Sequence, residues 1–258
     1  MTYCLGIITR TGLIMAADSR TNAGIDNIST YRKLFDFSLP GDRALIMSTS
    51  GNLSLSQAVL QQMERDLNGH SDTHLHSLST LYEVARYVGE KIRHLHEIDR
   101  TWLKQDGFEF HCNFLIGGQI RNGPVELYRT YSQGDCIHAT HETPYLQIGE
   151  TKYGKPILDR VMTYDMSLDI AAKSAVLSLD SAMRSNLSVG PPLQLARYER
   201  DSLEVPEQME FPAGHEYLIK MRREWESAML GGLQHQPAVP WPESATVCAI
   251  DSLTSPLD

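Results

Sequence analysis

The chain has 258 residues, 41% of them hydrophobic, and carries 23 basic against 32 acidic side chains, a net charge of −9. That length holds one large domain or two small ones and needs neither a metal nor a disulfide to stabilise its core. The acidic balance argues against a general nucleic-acid binder, which presents a basic face. No stretch approaches about 18 consecutive apolar residues, and Met1-Thr2-Tyr3-Cys4-Leu5 is neither basic nor followed by a long apolar run. Membrane span and signal peptide are therefore both rejected. Cys4, Cys112, Cys136 and Cys248 form no CxxC pair and read as the reduced thiols of a cytoplasmic protein.

The first fifty residues read as strands. Tyr3 to Ile8 and Leu13 to Ala17 are apolar runs joined by Thr9-Arg10-Thr11-Gly12, a hairpin. Lys33 to Phe37 and Arg43 to Thr49 follow, the latter opened by Pro40-Gly41-Asp42. A helix is then predicted from Ser54 as N-cap, with Gln57 three residues on and a stop at Asn68-Gly69. A longer one begins at Thr80-Leu81-Tyr82-Glu83 and carries a stripe from Leu81 through Val84, Val88, Ile92 and Leu95 to Trp102.

Strands return at Asn113 to Ile120 and Val125 to Tyr131. Helices follow near Pro156 and after Ser167, then a strand over Leu193 to Tyr198. Antiparallel hairpins alternating with helix pairs predict an α+β fold, a four-layer αββα sandwich. Residues 1–204 form that domain. After Val205 prolines make the chain irregular, apart from one helix over about His215 to Leu230. Residues 205–258 read as an appendage packed on the core or on a neighbour.

Thr2 stands out chemically. A small residue after the initiator methionine predicts removal of Met1, leaving a hydroxyl nucleophile and a free α-amine on one residue. An α-amine with a pKa near ~8 can take the hydroxyl proton. Asp18-Ser19-Arg20 ends the strand paired with the one that Thr2 opens, and Lys33 begins the third. A lysine beside the amine lowers its pKa, and a carboxylate holds the lysine in place.

Thr2, the run Ala16-Ala17-Asp18-Ser19-Arg20, Lys33 and the later turn Ile148-Gly149 resemble the proteasome β-subunit signature, most of all its bacterial Anbu (ancestral β-subunit) group. The resemblance implies an N-terminal-nucleophile hydrolase in a large self-associating complex. It implies Thr2 as nucleophile with its amine as base through a water, Lys33 as tuner of that amine, Asp18 as anchor of Lys33, and Arg20 as brace of the loop. Counting along the fourth strand puts the oxyanion donor at the main-chain N–H of Ser48. Glu150 stands where the family has a serine, and a carboxylate there orients the amine while favouring its charged form. The family's later Asp-x-x-Ser pair has no match, because Asp180 and Ser188 are differently spaced.

The leading expectation is a proteasome-like threonine peptidase acting on a peptide or protein substrate. The alternatives are an amidase acting on a small amide or modified peptide with the same nucleophile, and a weakly active or non-catalytic oligomeric scaffold. No G-x-x-x-x-G-K-[ST] motif is present, so unfolding power would come from a separate unfoldase or gene-neighbour enzyme. His70, His74, His76, His94 and His96 form two local groups with no converging carboxylates and read as a solvated surface. No metal or cofactor is expected.

Overall fold

The computed structural model describes residues 2–22, 28–105, 107 and 110–241. The chain opens with the hairpin β1 (Tyr3–Thr9) and β2 (Gly12–Ala17), then a small ribbon of β3 (Arg20–Asn22) and β4 (Ile28–Thr30). β5 (Leu34–Asp36) and β6 (Arg43–Gly51) lead into helices α1 (Leu53–Arg65) and α2 (Leu81–Gln105). β7 (Cys112–Ile120), β8 (Glu126–Thr130), β9 (Cys136–His138) and β10 (Tyr145–Gly149) follow. Then come α3 (Lys155–Val161), α4 (Leu168–Ser185), β11 (Leu193–Glu199), β12 (Glu207–Phe211) and α5 (Glu216–Gln234).

Two five-stranded sheets form the centre, ordered β10-β1-β2-β11-β12 and β5-β6-β7-β8-β9. Each is covered on both faces, which is why β1 and β2 read as unbroken apolar runs. In β1, Tyr3, Leu5 and Ile7 face α3 and α4, whereas Cys4 and Ile8 face the other sheet. In β6, Leu45 and Met47 face α1 and α2, whereas Ala44 and Ile46 meet Leu13, Met15 and Leu127 between the sheets. Three apolar layers thus separate four layers of structure, the expected αββα sandwich. A side chain at Gly6 would collide with Leu127 and Met15, so this glycine sets how closely the sheets approach.

Several local expectations need correction. α1 is capped by Asn52, whose side chain accepts from Ser54 N, rather than by Ser54. The Thr80 box is reciprocal: Glu83 N donates to Thr80 Oγ1 at 3.2 Å and Thr80 N to Glu83 Oε2 at 3.0 Å. α2 outruns the sheet beneath it, leaving Ile98 and Trp102 exposed, so Trp102 does not extend the buried stripe. β10 was not foreseen as a strand. In the stretch after Val205, expected to be irregular apart from one helix, β12 pairs antiparallel with β11; the expected helix is α5, which buries Leu218 against the α4 side of the first sheet. Residues 242–258 of the expected appendage lie outside the described residues.

Candidate active site

Order at the chain's start comes from Tyr3. Its ring is buried among α3 and α4, and its hydroxyl lies 2.6 Å from Ser178 Oγ and accepts from Gln147 Nε2 at 2.5 Å. Burial pushes the Tyr3 hydroxyl's pKa up, so it stays protonated and can donate. Strand pairing holds β1 on both sides, to β2 and to β10. Thr2 therefore sits at the lip of a fixed strand rather than on a frayed end.

Asp18 gathers the site. Its Oδ1 accepts from Tyr3 N at 2.9 Å and from Lys33 Nζ at 2.7 Å. Its Oδ2 accepts from Arg20 N at 3.2 Å and from Gly190 N at 3.1 Å. Burial raises the carboxyl's pKa, while Lys33 and the surrounding N–H groups work against that rise. All four neighbours are donors, so the cage is built for the ionised, acceptor-only form.

Lys33 is 4% exposed. Its Nζ also donates to Arg20 O at 2.5 Å, and its own carbonyl accepts from Thr49 N at 3.3 Å on β6. Arg20 therefore contributes main chain to both Asp18 and Lys33. Its side chain reaches away, with Nη1 donating to Leu187 O at 2.7 Å and the guanidinium lying against Gly190. These contacts tie Arg20 to the loop after α4.

The Ile148-Gly149 turn also reaches the terminus. Glu150 N donates to Thr2 O at 2.7 Å. Gly149 has φ +83, and a Cβ there would run into the Thr2 carbonyl. Only glycine permits this approach. The Glu150 carboxylate accepts from Lys152 N at 3.1 Å and from Asn186 Nδ2 at 2.9 Å. Asp180 is committed elsewhere: it pairs with Arg222 across α4 and α5, Nε to Oδ1 at 3.0 Å.

Ser48 is placed differently from its expected role. Antiparallel ladders send alternate N–H groups to opposite sides. Thr49 N points to Lys33 O, whereas Asn52 N points to His111 O next to β7. Ser48, in step with residue 52, therefore turns its N–H toward Leu115 in β7. The N–H on the Lys33 side beyond Thr49 is that of Gly51, at φ +113. The Ser48 side chain faces between the sheets beside Cys4, whose Sγ lies 3.6 Å from Thr49 O.

The histidines take up local roles. His76 Nε2 lies 2.9 Å from Phe37 O, and His96 packs edge-on against Phe110. Among the described residues no group of three or more potential ligands converges.

Sequence reasoning thus brought Thr2, Asp18, Arg20, Lys33 and Glu150 to one place. It missed Gly190, Asn186 and Gln194, whose carboxamide oxygen accepts from Lys33 N at 3.0 Å. The Gly190-Pro191-Pro192 run was the one local signal of a tight loop there.

Residues 2–196 match the family described as Proteasome subunit. A proteasome subunit beta from Haloquadratum walsbyi is 22% identical over 212 residues, covering 81% of this chain and 78% of its own. Anbu (ancestral beta-subunit) from Yersinia bercovieri is 40% identical with a TM-score of 0.87, covering 94% of this chain and all, 100%, of its own. The Anbu complex from Pseudomonas aeruginosa, solved as a helical assembly, is 42% identical with a TM-score of 0.88, over 95% of this chain and 100% of its own. The chain therefore belongs to the proteasome-subunit family, and its likeness to the Anbu proteins continues past residue 196, where the family match ends.

Proposed function

We propose that this protein is a threonine-type peptidase that works after Met1 is removed. Thr2 Oγ attacks the substrate carbonyl while the Thr2 amine takes the proton through a water. The proton passes on to the leaving amine as the peptide C–N bond breaks and the Thr2 Oγ acyl ester remains; a second water then hydrolyses that ester, which returns the Thr2 hydroxyl and releases a carboxylate. The observation that carries this reading is the Asp18 carboxylate bound at once to Tyr3 N and Lys33 Nζ, which ties the residue after the nucleophile to a buried cation. That cation disfavours protonation of the amine and keeps it a base near neutral pH. Gly51 N–H, rather than Ser48 N–H, serves the oxyanion. Glu150, held by Asn186, orients the amine.

We further propose that the protein is a cytoplasmic homo-oligomer. Support comes from the helical assembly of its P. aeruginosa relative, from the free Cys4, Cys112 and Cys136, and from apolar side chains exposed on and after α5, among them Leu233 and Trp241.

Thr2→Ala tests the chemistry. It should cut peptide hydrolysis at least about 10³-fold while leaving folding and assembly intact. An electrophile that traps threonine should add its mass to the wild type alone. Comparable turnover by variant and wild type would end the threonine reading.

A further inference from the structure

We infer that Gln194 is a positioning residue that holds Lys33 in its working place. Gln194 lies on β11 in the first sheet, whereas Lys33 leads into β5 at the edge of the second. The Gln194 side chain crosses between them, and its Oε1 accepts from Lys33 N at 3.0 Å and from Leu34 N at 3.1 Å. Two N–H donors converging on one atom identify that atom as the carboxamide oxygen. Lys33 and Leu34 are buried, at 4% and 2% exposure, so neither N–H can turn to water instead.

The Leu34 side chain is packed in the layer between the sheets, but the main chain of this segment has an open side. Beyond Gln194 the segment borders a cavity of about 340 Å³, also lined by Ser19, Leu34, Gln208 and Glu210. Arg32 roofs it, with Nη2 donating to Gln208 Oε1 at 2.7 Å. The Lys33 main chain is thus held by Thr49 N on its carbonyl and by Gln194 on its N–H. Removing Gln194 frees one end of the residue whose ammonium must stay fixed on Asp18 and Arg20 O. The consequence for turnover rests on the threonine-peptidase reading; the latch itself does not.

The test compares Gln194→Met, which keeps the length and loses the acceptor, with Gln194→Glu, which keeps the acceptor. Amide exchange at Lys33 and Leu34, read by overlapping peptides, should accelerate roughly 100-fold in Gln194→Met while β6 and β7 keep their protection. Gln194→Glu should restore protection. Peptide hydrolysis by Gln194→Met should show kcat lowered about 10–100-fold with KM little changed, since the Gln194 carboxamide oxygen is spent on Lys33 N and Leu34 N. Gln194→Glu should recover much of kcat. Unchanged exchange in Gln194→Met overturns the latch. Accelerated exchange with wild-type kcat overturns the positioning role. If Thr2→Ala also hydrolyses normally, the peptidase reading falls and the latch stands on the exchange data alone.

Discussion

Lys33 cannot swing away from Asp18 without leaving two acceptors, Asp18 Oδ1 and Arg20 O, behind in a buried site. Lys33→Ala should therefore be more damaging than Lys33→Arg, which keeps the charge but not the compact geometry. The sign of the pH effect follows from the charge. An α-amine with a pKa near ~8 is mostly protonated at pH 7, and a neighbouring ammonium lowers that value. Removing the ammonium raises it, so the acid limb of the rate profile should move up by about one pH unit or more in Lys33→Ala. An unmoved limb would make Lys33 a structural residue.

Gly149→Ala should also reduce activity. It forces alanine to φ +83, which costs about 1–2 kcal/mol, and drives a methyl into the Thr2 carbonyl. Thermal melting reports folding, and a variant as stable and active as wild type would contradict the approach. Thr2 and Asp18 were legible in the sequence because hairpin geometry brings the end of one strand beside the start of its partner, whereas Lys33, which leads into β5 of the other sheet, was legible through the resemblance to the proteasome signature. Gly190 and Gln194 were not, because their bonds to Asp18 and Lys33 span 172 and 161 residues.

At the scale of elements, β6 is tied to the loop before α2 by Arg43. This side chain is 1% exposed, with Nη1 donating to Leu75 O at 2.7 Å and Leu78 O at 2.9 Å, and Nε donating to Asp42 at 2.6 Å. Asp42 also accepts from Arg121 Nε at 2.7 Å, joining the ends of β6 and β7. Arg121 and then Arg43 hold the Asp42 carboxyl below the usual carboxylate range. Its contribution to stability is therefore present above the unfolded value of ~3.9 and is lost as pH falls through the lower folded value. Asp42→Ala leaves the buried Arg43 short of its counter-charge and should cost about 3–5 kcal/mol, measured by denaturant unfolding near neutral pH. A loss of only a few tenths would show that Leu75 O and Leu78 O suffice for Arg43. Five strands escaped sequence reading: β3, β4 and β9 are only three residues long, too short for a pattern, and β10 and β12 have their own physical reasons. β10 is only five residues long and follows a proline, and β12, Glu-Gln-Met-Glu-Phe, is an edge strand with its first four residues exposed and hence no apolar alternation.

At the scale of the whole molecule, the exposed apolar side chains of α5 predict association between copies. Sedimentation should give a mass well above the 29.0 kDa of one chain, and the double variant Leu230→Asp/Leu233→Asp should lower it. A mass near 29.0 kDa for the wild type would refute association. Burial pushes the Cys4 and Cys112 thiols up to about 12 and about 11. Both should stay silent to a thiol reagent at pH 8 in the native protein and react after unfolding, whereas the half-buried Cys136 should react more readily. Prompt native labelling of Cys4 would mean that the layer between the sheets opens.

Two of the bonds that reach far along the chain also set a clock. Asp18 depends on Gly190 and Lys33 on Gln194, so a cluster that begins at the start of the chain is completed only in its last third. At about 5–20 residues per second, the ribosome carries Thr2 for roughly 10–40 s before those partners exist. On the proposed reading of Thr2 as nucleophile, it is present but unarmed throughout that interval. A hydrolase whose site closes only when its final third arrives is harmless to the half-made proteins around it, itself included.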